Sequence, residues 1–390
     1  MNSTKSTRIQ SLDLLKGLVM IIMALDHVRD YFHYDAFFFD PTDPEKTNTA
    51  LYFTRWITHY CAPAFSFLAG ISAYLVGRKK SKFELSSFLL KRGIWLVFIE
   101  LVVVNFSWYF DIHFSTISLL VIWSLGVSMI FLAALIHLNL KYILIFSLLM
   151  IFGHNGLDYV PIEGGIFWSI IHKFGFYTLE NGKILVIGYP IIPWIGVMSL
   201  GYYFGSFYSS NKDALQRQKV FKLIGSFSIV GFIIIRLFNT YGNLNPWNSY
   251  NTVLQTVFSF LNPAKYPPSL TYLLMTLGPI LLILAYTENV KGKTVKFISV
   301  FGKVPFFYYI LHLYVIHILA LFLAWFTGFG WRKMIIKGWV TESPNLDGYG
   351  LNLVYVYLIW IVIILMLYPL CKKFGNYKLN NKDKKWLSYL

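Results

Sequence analysis

The chain has 390 residues, of which 56% are hydrophobic and only 13% are charged. Soluble proteins carry about 25% charged residues, so this composition excludes one soluble domain and indicates a polytopic membrane protein. The net charge of +16 is dispersed over short segments between apolar runs, which argues against a nucleic-acid surface and favours basic loops that set orientation in a membrane.

Ten segments have the roughly 20 apolar residues that a membrane-spanning helix needs. They predict an all-α transmembrane bundle that forms a single domain over 1–390 and ends in a basic cytosolic tail at 372–390. The predicted spans are 11–33, 53–77, 91–110, 116–138, 141–157, 184–208, 219–239, 269–287, 299–325 and 350–371.

The basic residues alternate between the two sides of these spans. Lys and Arg concentrate near both termini and in every second connection, for example in "GRKKSKF" at 77–83. Because basic loops stay on the cytosolic side, this pattern predicts that both termini are cytosolic.

The first span ends in an unusual polar cluster. Its members are Asp26, His27, Arg29, Asp30 and His33. All but His27 fall at i, i+3, i+4 and i+7, which is one helical face. His27, at i+1, lies on the adjoining face. At 1.5 Å per residue, His27 lies about 24 Å above Ser11, near the outer end of the span. A histidine beside carboxylates is a candidate general base; the alternative is simply the polar end of a span.

Three further segments supply candidate site residues. The second span carries Arg55 and His59 at i and i+4, at the same outer end. The proline-rich approach to the eighth span, "AKYPPSL", presents Lys265 and Tyr266. In the ninth span, Tyr308 lies one turn before His312, within an apolar segment where an ionisable group is a functional hint. Each group also has a structural interpretation, as a packed or interhelical polar residue.

Other motifs that would indicate a different chemistry are missing from the sequence. The two cysteines, Cys61 and Cys371, give neither a disulfide framework nor a metal motif. We find no phosphate loop, dinucleotide fingerprint or G-x-S-x-G elbow. The sequence therefore predicts no metal and no permanently bound cofactor, and limits the chemistry to acid–base work inside a helical bundle.

The opening of the chain resembles that of multi-pass membrane acyltransferases. "RIQSLDLLKGLVMIIMALDH" is similar to a start of the form SLD-x-L-R-G followed by an apolar run. In the bacterial O-acyltransferases a histidine lies 14 residues after the aspartate, and Asp13 and His27 keep this spacing. Lys16 stands where arginine is usual.

The remainder of the chain resembles the bacterial relatives of heparan-alpha-glucosaminide N-acetyltransferase. Together with the opening, the resemblance covers residues 8–320. The segments that carry the resemblance are "ALDHVRDYF", "FTRWITHYCAPAFSFLAG", "YPIIPWIGVMSLGYYFG", "KYPPSLTYLLMTLGP" and "FGKVPFFYYILHLYVIH". The resemblance implies acetyl-CoA or another acyl-CoA as co-substrate from the cytosolic side, a channel through the bundle, and an acceptor amine or hydroxyl on the far side. It also implies a histidine at the outer end, for which we favour His27 over His33.

These features lead to one main hypothesis and one alternative. The main hypothesis is a membrane acyltransferase of the bacterial cytoplasmic (inner) membrane, which acts on a glycan or lipid-linked sugar and does not bind nucleic acid. Asp26 and Asp30 would then assist His27, His33 is the second choice for the catalytic histidine, and the other candidates would bind substrate. The alternative is a proton-coupled transporter or flippase that uses the same Asp/His/Arg cluster as a relay. The acceptor, the acyl length and the formation of a homodimer stay open.

Overall fold

The computed structural model describes residues 9–162, 164–209, 213–339 and 346–388, which are mostly helical. The helices are α1 (Gln10–Phe32), α2 (Thr49–Trp56), α3 (Cys61–Gly77), α4 (Lys82–Ile99), α5 (Asn105–Tyr109), α6 (Val121–Leu135), α7 (Leu140–Gly153), α8 (Gly165–Ile171), α9 (Ile191–Gly205), α10 (Ala214–Phe238), α11 (Val253–Phe260), α12 (Leu270–Tyr286), α13 (Lys293–Lys303), α14 (Pro305–Phe326) and α15 (Leu353–Asn380).

Within the described ranges, five helical segments are long and apolar enough to cross a membrane. They are Thr49–Gly77, Leu140–Tyr159, Ala214–Phe238, Pro305–Phe326 and Leu353–Asn380. The outward faces of α10 and α15 remain apolar, as shown by Phe227 and Val354, which are 67% and 65% exposed. Such faces are stable against lipid and not against water, so the fold is that of an integral membrane protein.

Two of the predicted spans begin in strands rather than helices. Segment 116–138 starts with β1 (Thr116–Leu119), and segment 184–208 starts with β3 (Ile184–Ile187). β1 and β3 pair in parallel, and β2 (Gly175–Thr178) pairs antiparallel with β3. Short apolar runs rich in β-branched residues fit a buried strand as well as a helix, so hydropathy alone did not separate them.

The predicted ninth span, 299–325, is interrupted. α13 ends at Lys303, Val304 leaves the helical conformation with φ −134° and ψ 51°, and α14 begins with Pro305 at its first position. Proline has no N–H to donate and disfavours the helical conformation in the preceding residue, so the helix restarts there. Lys303, the last residue before the break, lines the second cavity described below.

Glycine allows α1 and α13 to approach until their backbones touch. A Cβ atom on Gly302 would lie 1.9 Å from the carbonyl oxygen of Asp13, and one on Gly17 would lie 2.0 Å from that of Ile298. Only residues without a side chain fit such a contact, as in other close helix pairs of membrane proteins. The contact fixes the N-terminal half of α1 against α13.

Glu100 connects α4 and α6 in the core. It begins a π-helical turn, Glu100–Val104, between α4 and α5, and its side chain is fully buried. Its Oε2 accepts a hydrogen bond of 2.9 Å from the backbone N–H of Trp123, in the first turn of α6. The side-chain carboxyl group at this position satisfies a backbone donor that has no partner within the helix.

Candidate functional site

A cavity of about 410 Å³ opens at the C-terminal end of α1, and we call it the outer cavity. Its charged and histidine side chains come from α1, the loop after α1, α2 and the segment before α12. These residues are Asp26, His27, Arg29, Asp30, Asp40, Arg55 and Lys265. Aromatic rings, among them Trp108 and Tyr189, form much of the remaining wall. The polar end of α1 therefore faces an enclosed space, with groups contributed from distant parts of the chain.

Two arginines hold the carboxylates of this cavity in place. Arg29 Nη2 donates to Asp26 Oδ1 at 2.8 Å and to Asp30 Oδ1 at 2.5 Å. Arg55 of α2 donates to Asp26 Oδ2 at 2.5 Å, so both oxygens of Asp26 are occupied. Asp26 is buried, so removing one residue of such an ion pair would leave the charge of the other residue uncompensated. The network therefore fixes the last turns of α1 around His27.

His27 itself lies between an indole, a second imidazole and a carboxylate. Its ring centroid is 4.7 Å from that of Trp108, edge to face, and 5.2 Å from that of His312. Its Nδ1 is 3.7 Å from Asp30 Oδ2, longer than a hydrogen bond but close enough for the carboxylate to stabilise an imidazolium. Trp108 is held in turn by Tyr31, whose hydroxyl donates to the Trp108 carbonyl at 2.5 Å.

His33 lies away from this arrangement. It follows the last residue of α1, its Nδ1 accepts a 3.2 Å hydrogen bond from the backbone N–H of Asp35, and its ring stacks on Tyr34. Its backbone pairs with Leu351 as an isolated bridge. His33 is buried and is not part of the outer-cavity wall. Its surroundings are those of a residue that ends a helix.

His59, Tyr308 and His312 lie behind the cavity wall rather than in it. His59 is in a 3-10 turn, Ile57–Tyr60, and its ring packs against Tyr272 at 5.7 Å. Tyr308 and His312 stack on each other at 5.1 Å, with planes 5° apart. These three side chains are buried, so they can support a ligand only through the residues in front of them.

His312 has a defined tautomer. Its Nδ1 is 3.0 Å from the carbonyl oxygen of Tyr308, and a carbonyl can only accept, so Nδ1 carries the hydrogen. Nε2 therefore bears the lone pair, and it is buried with no hydrogen-bond partner among the described residues. His312 thus carries a ring nitrogen with a free lone pair, and its ring is tilted by 40° to that of His27.

Lys265 and Tyr266 form the wall contributed by the segment before α12. The Lys265 ammonium lies 5.1 Å from the centroid of the Tyr266 ring, and both residues line the outer cavity. Burial raises the pKa of Tyr266, but the positive charges of Lys265 and Arg55 outweigh it, and the net pKa is lowered. Tyr189 packs edge-on against Tyr266 at 5.5 Å.

Several residues of this wall were missed by sequence reasoning. Asp40 lies at the cavity mouth in the loop between α1 and α2. Partial loss of water around its carboxyl group raises the pKa of Asp40. The positive charge of Arg55 and the hydrogen bonds from Thr42 outweigh this effect, so the net pKa is lowered. Trp108, Tyr189 and Tyr309 were also missed, since aromatic residues are frequent throughout the chain and carry no motif.

A second cavity of about 400 Å³, the inner cavity, lies along the N-terminal half of α1. Four basic side chains from different helices line it: Lys16, Arg92, Lys303 and Lys378. The described residues of its lining include no carboxylate. Lys16 Nζ donates to Ser72 Oγ of α3 at 2.7 Å, which joins α1 to α3 there. Such a lining favours an anionic ligand.

Residues 8–236 match the family model described as "Heparan-alpha-glucosaminide N-acetyltransferase, catalytic". No curated protein sequence matches the chain at a significant level. The family match favours a transferase over the transporter considered as an alternative. Since the match spans more than half of the 390 residues and includes the α1 cluster, the chain belongs to the family of membrane acetyltransferases that this catalytic model describes.

Proposed function

We propose that this protein transfers an acyl group, by family an acetyl group, from acyl-CoA to an amine or hydroxyl of a glycan or lipid-linked sugar. The observation that carries the proposal is the arrangement of α1. One face of this helix presents Lys16 to the basic inner cavity and His27 to the outer cavity. The two positions are about 16 Å apart along the helix axis, a distance that suits an extended donor with a charged end and a reactive end.

The inner cavity is the proposed site for the nucleotide end of the donor. Coenzyme A carries several phosphate charges, and lysine and arginine are the usual partners of phosphate in proteins. Lys16, Arg92, Lys303 and Lys378 converge from α1, α4, α13 and α15. The pantetheine arm would then run along α1, so that its thioester reaches His27.

In the outer cavity His27 is the proposed general base. Its Nε2 takes the proton from the acceptor amine or hydroxyl, whose lone pair attacks the thioester carbonyl carbon. The tetrahedral intermediate then collapses, the C–S bond breaks, and the proton passes from His27 to the departing thiolate of CoA. Asp30, near Nδ1, favours the imidazolium that exists between these steps.

The same proposal places the chain in its membrane. It has ten spans with both termini in the cytosol of a bacterium, within the inner membrane. The inner cavity then faces the cytosol, where acyl-CoA is made, and the outer cavity faces the far side. This orientation rests on the alternation of basic connections along the sequence.

The test uses the purified protein in lipid vesicles with radiolabelled acetyl-CoA and glucosamine as acceptor. His27→Gln should reduce the transfer rate by about 10²–10⁴, the usual contribution of general acid–base catalysis. His33→Gln is the matched control, because His33 lies in the same chain segment outside the cavity, and it should retain transfer. Equal activity of the His27 variant and the wild type would overturn the proposal.

A further inference from the structure

Two residues line both cavities: Phe65 of α3 and Tyr309 of α14. On α1, Lys16 and Met20 line the inner cavity, while Met23 and His27 line the outer one. Their spacing of three to four residues is that of one helical face. The two cavities are therefore consecutive parts of one shaft along α1, and they meet at Phe65 and Tyr309.

The same order recurs on α3, which forms another wall of the shaft. Ala62 lines the outer cavity, Ala69 lines the inner cavity, and Phe65 lies between them on the same face. Alanine adds little bulk on either side, whereas Phe65 places a phenyl ring at the boundary between the two cavities. From α14, Tyr309 meets the shaft at this level, and its side chain is only 3% exposed.

We propose that Phe65 and Tyr309 form a movable septum that keeps the two cavities apart and decides when the reactive end of a donor reaches the outer one. The division of the shaft follows from geometry alone, whereas its consequence for acyl transfer rests on the proposed function. Both residues border the two cavities, so a side-chain rotation into that space is enough to move either ring.

Tyr309 also links the septum to the candidate base. Its ring packs edge-on against His312 at 5.6 Å, and His312 lies 5.2 Å from His27. Displacement of Tyr309 by a pantetheine arm would therefore press on the ring that adjoins His27. A closed septum would also keep water in the outer cavity away from a thioester that waits in the inner one, which limits hydrolysis without an acceptor.

Cysteine labelling tests the septum without any assay of catalysis. Ala62→Cys and Ala69→Cys are made separately in a chain that carries Cys61→Ala and Cys371→Ala. A negatively charged, membrane-impermeant methanethiosulfonate is applied to either side of sealed vesicles of known protein orientation. We expect Ala69→Cys to react from one side and Ala62→Cys from the opposite side.

Adding Phe65→Ala should then allow Ala62→Cys to react from the side that reaches Ala69→Cys. If the septum is open for less than about a tenth of the time, this rate should rise at least tenfold. Phe65→Leu provides a milder second variant in case the alanine variant does not fold. The septum is refuted if Ala62→Cys already reacts from both sides with Phe65 present, if it reacts from neither side, or if both Phe65 variants leave the pattern unchanged.

The catalytic consequence has its own readout. With acetyl-CoA and glucosamine, Phe65→Ala should raise the ratio of acetyl-CoA hydrolysis to acetyl transfer. If labelling follows the expected pattern but no variant or wild-type protein transfers acetyl groups, the proposed function fails and the septum stands. If transfer depends on His27 but labelling shows an open shaft, the septum fails alone.

Discussion

The imidazole rings of His27 and His312 lie 5.2 Å apart between centroids, although they belong to the first and the fourteenth helices of the chain. His312 donates from Nδ1 to the Tyr308 carbonyl, so its Nε2 carries a lone pair beside His27. The rings are tilted by 40° to each other, so His312 forms part of the surroundings of the proposed general base from a helix far away in the chain.

Replacing His312 should change how His27 behaves as a base. His312→Phe keeps a ring in the stack but removes the basic nitrogen and the hydrogen bond to Tyr308. We expect kcat to fall by about tenfold, KM for acetyl-CoA to stay nearly constant, and the pH profile of kcat to move, since the environment of the general base changes. Tyr308→Phe, which keeps the stack and the Tyr308 carbonyl, is the control. An unchanged pH profile would show that His312 serves only in packing.

The salt bridge between Arg55 and Asp26 should be strongly coupled. Because the pair is enclosed and both Asp26 oxygens are used, Arg55→Gln should lower the free energy of unfolding by about 3–5 kcal/mol. The measurement is a double-mutant cycle by thermal unfolding, which compares the wild type with Arg55→Gln, Asp26→Asn and the double variant. We expect a coupling energy of about 1–3 kcal/mol, and additive effects of the two substitutions would contradict a direct interaction.

Arg236 should stabilise the outer loop that leads to Lys265. It is fully buried in α10 and donates to the carbonyl oxygens of Phe260, Asn245, Ser259 and Asn262. Arg236→Met leaves these acceptors without their donor, so we expect a loss of about 3 kcal/mol or more in unfolding free energy.

Thermal unfolding in detergent measures the loss for Arg236→Met. Lys219→Met, at an exposed position of the same helix, should change the midpoint little. Equal midpoints of the two variants would mean that the carbonyl contacts add no stability.

The basic residues of the inner cavity should act on donor binding rather than on chemistry. Arg92→Gln and Lys303→Gln should each raise KM for acetyl-CoA by about tenfold with little change in kcat, because a phosphate contact far from the thioester is the same in ground and transition states. The effect should shrink at high salt, which screens charge.

The control for these two variants is Lys293→Gln, since Lys293 is exposed in α13, the helix that carries Lys303, and lies outside both cavities. Kinetics with acetyl-CoA as the varied substrate provides the measurement. A fall in kcat at constant KM would place the two cations in the reaction rather than in donor binding.

Much of the helical framework could be predicted from hydropathy, since membrane helices need long apolar runs that are visible in the sequence alone. The exceptions have local causes. β1 and β3 are too short and too rich in β-branched residues for hydropathy to identify, and their pairing depends on segments far apart in the chain. The break at Val304 follows from Pro305, a signal present in the sequence but outweighed by the apolar length of the segment.

The sequence by itself determined that this is an apolar, helical membrane chain with a polar cluster at the end of its first helix, because composition and periodicity are local properties. Only the tertiary structure decided that His27 faces a cavity and His33 does not, that Trp108 and His312 flank His27, and that Lys265 shares its cavity. Helical spacing gives the face on which a side chain lies, but the neighbour of that face is set by how distant helices pack. The boundary at Phe65 and Tyr309 is of the same kind, since each residue alone is one more aromatic in an aromatic chain.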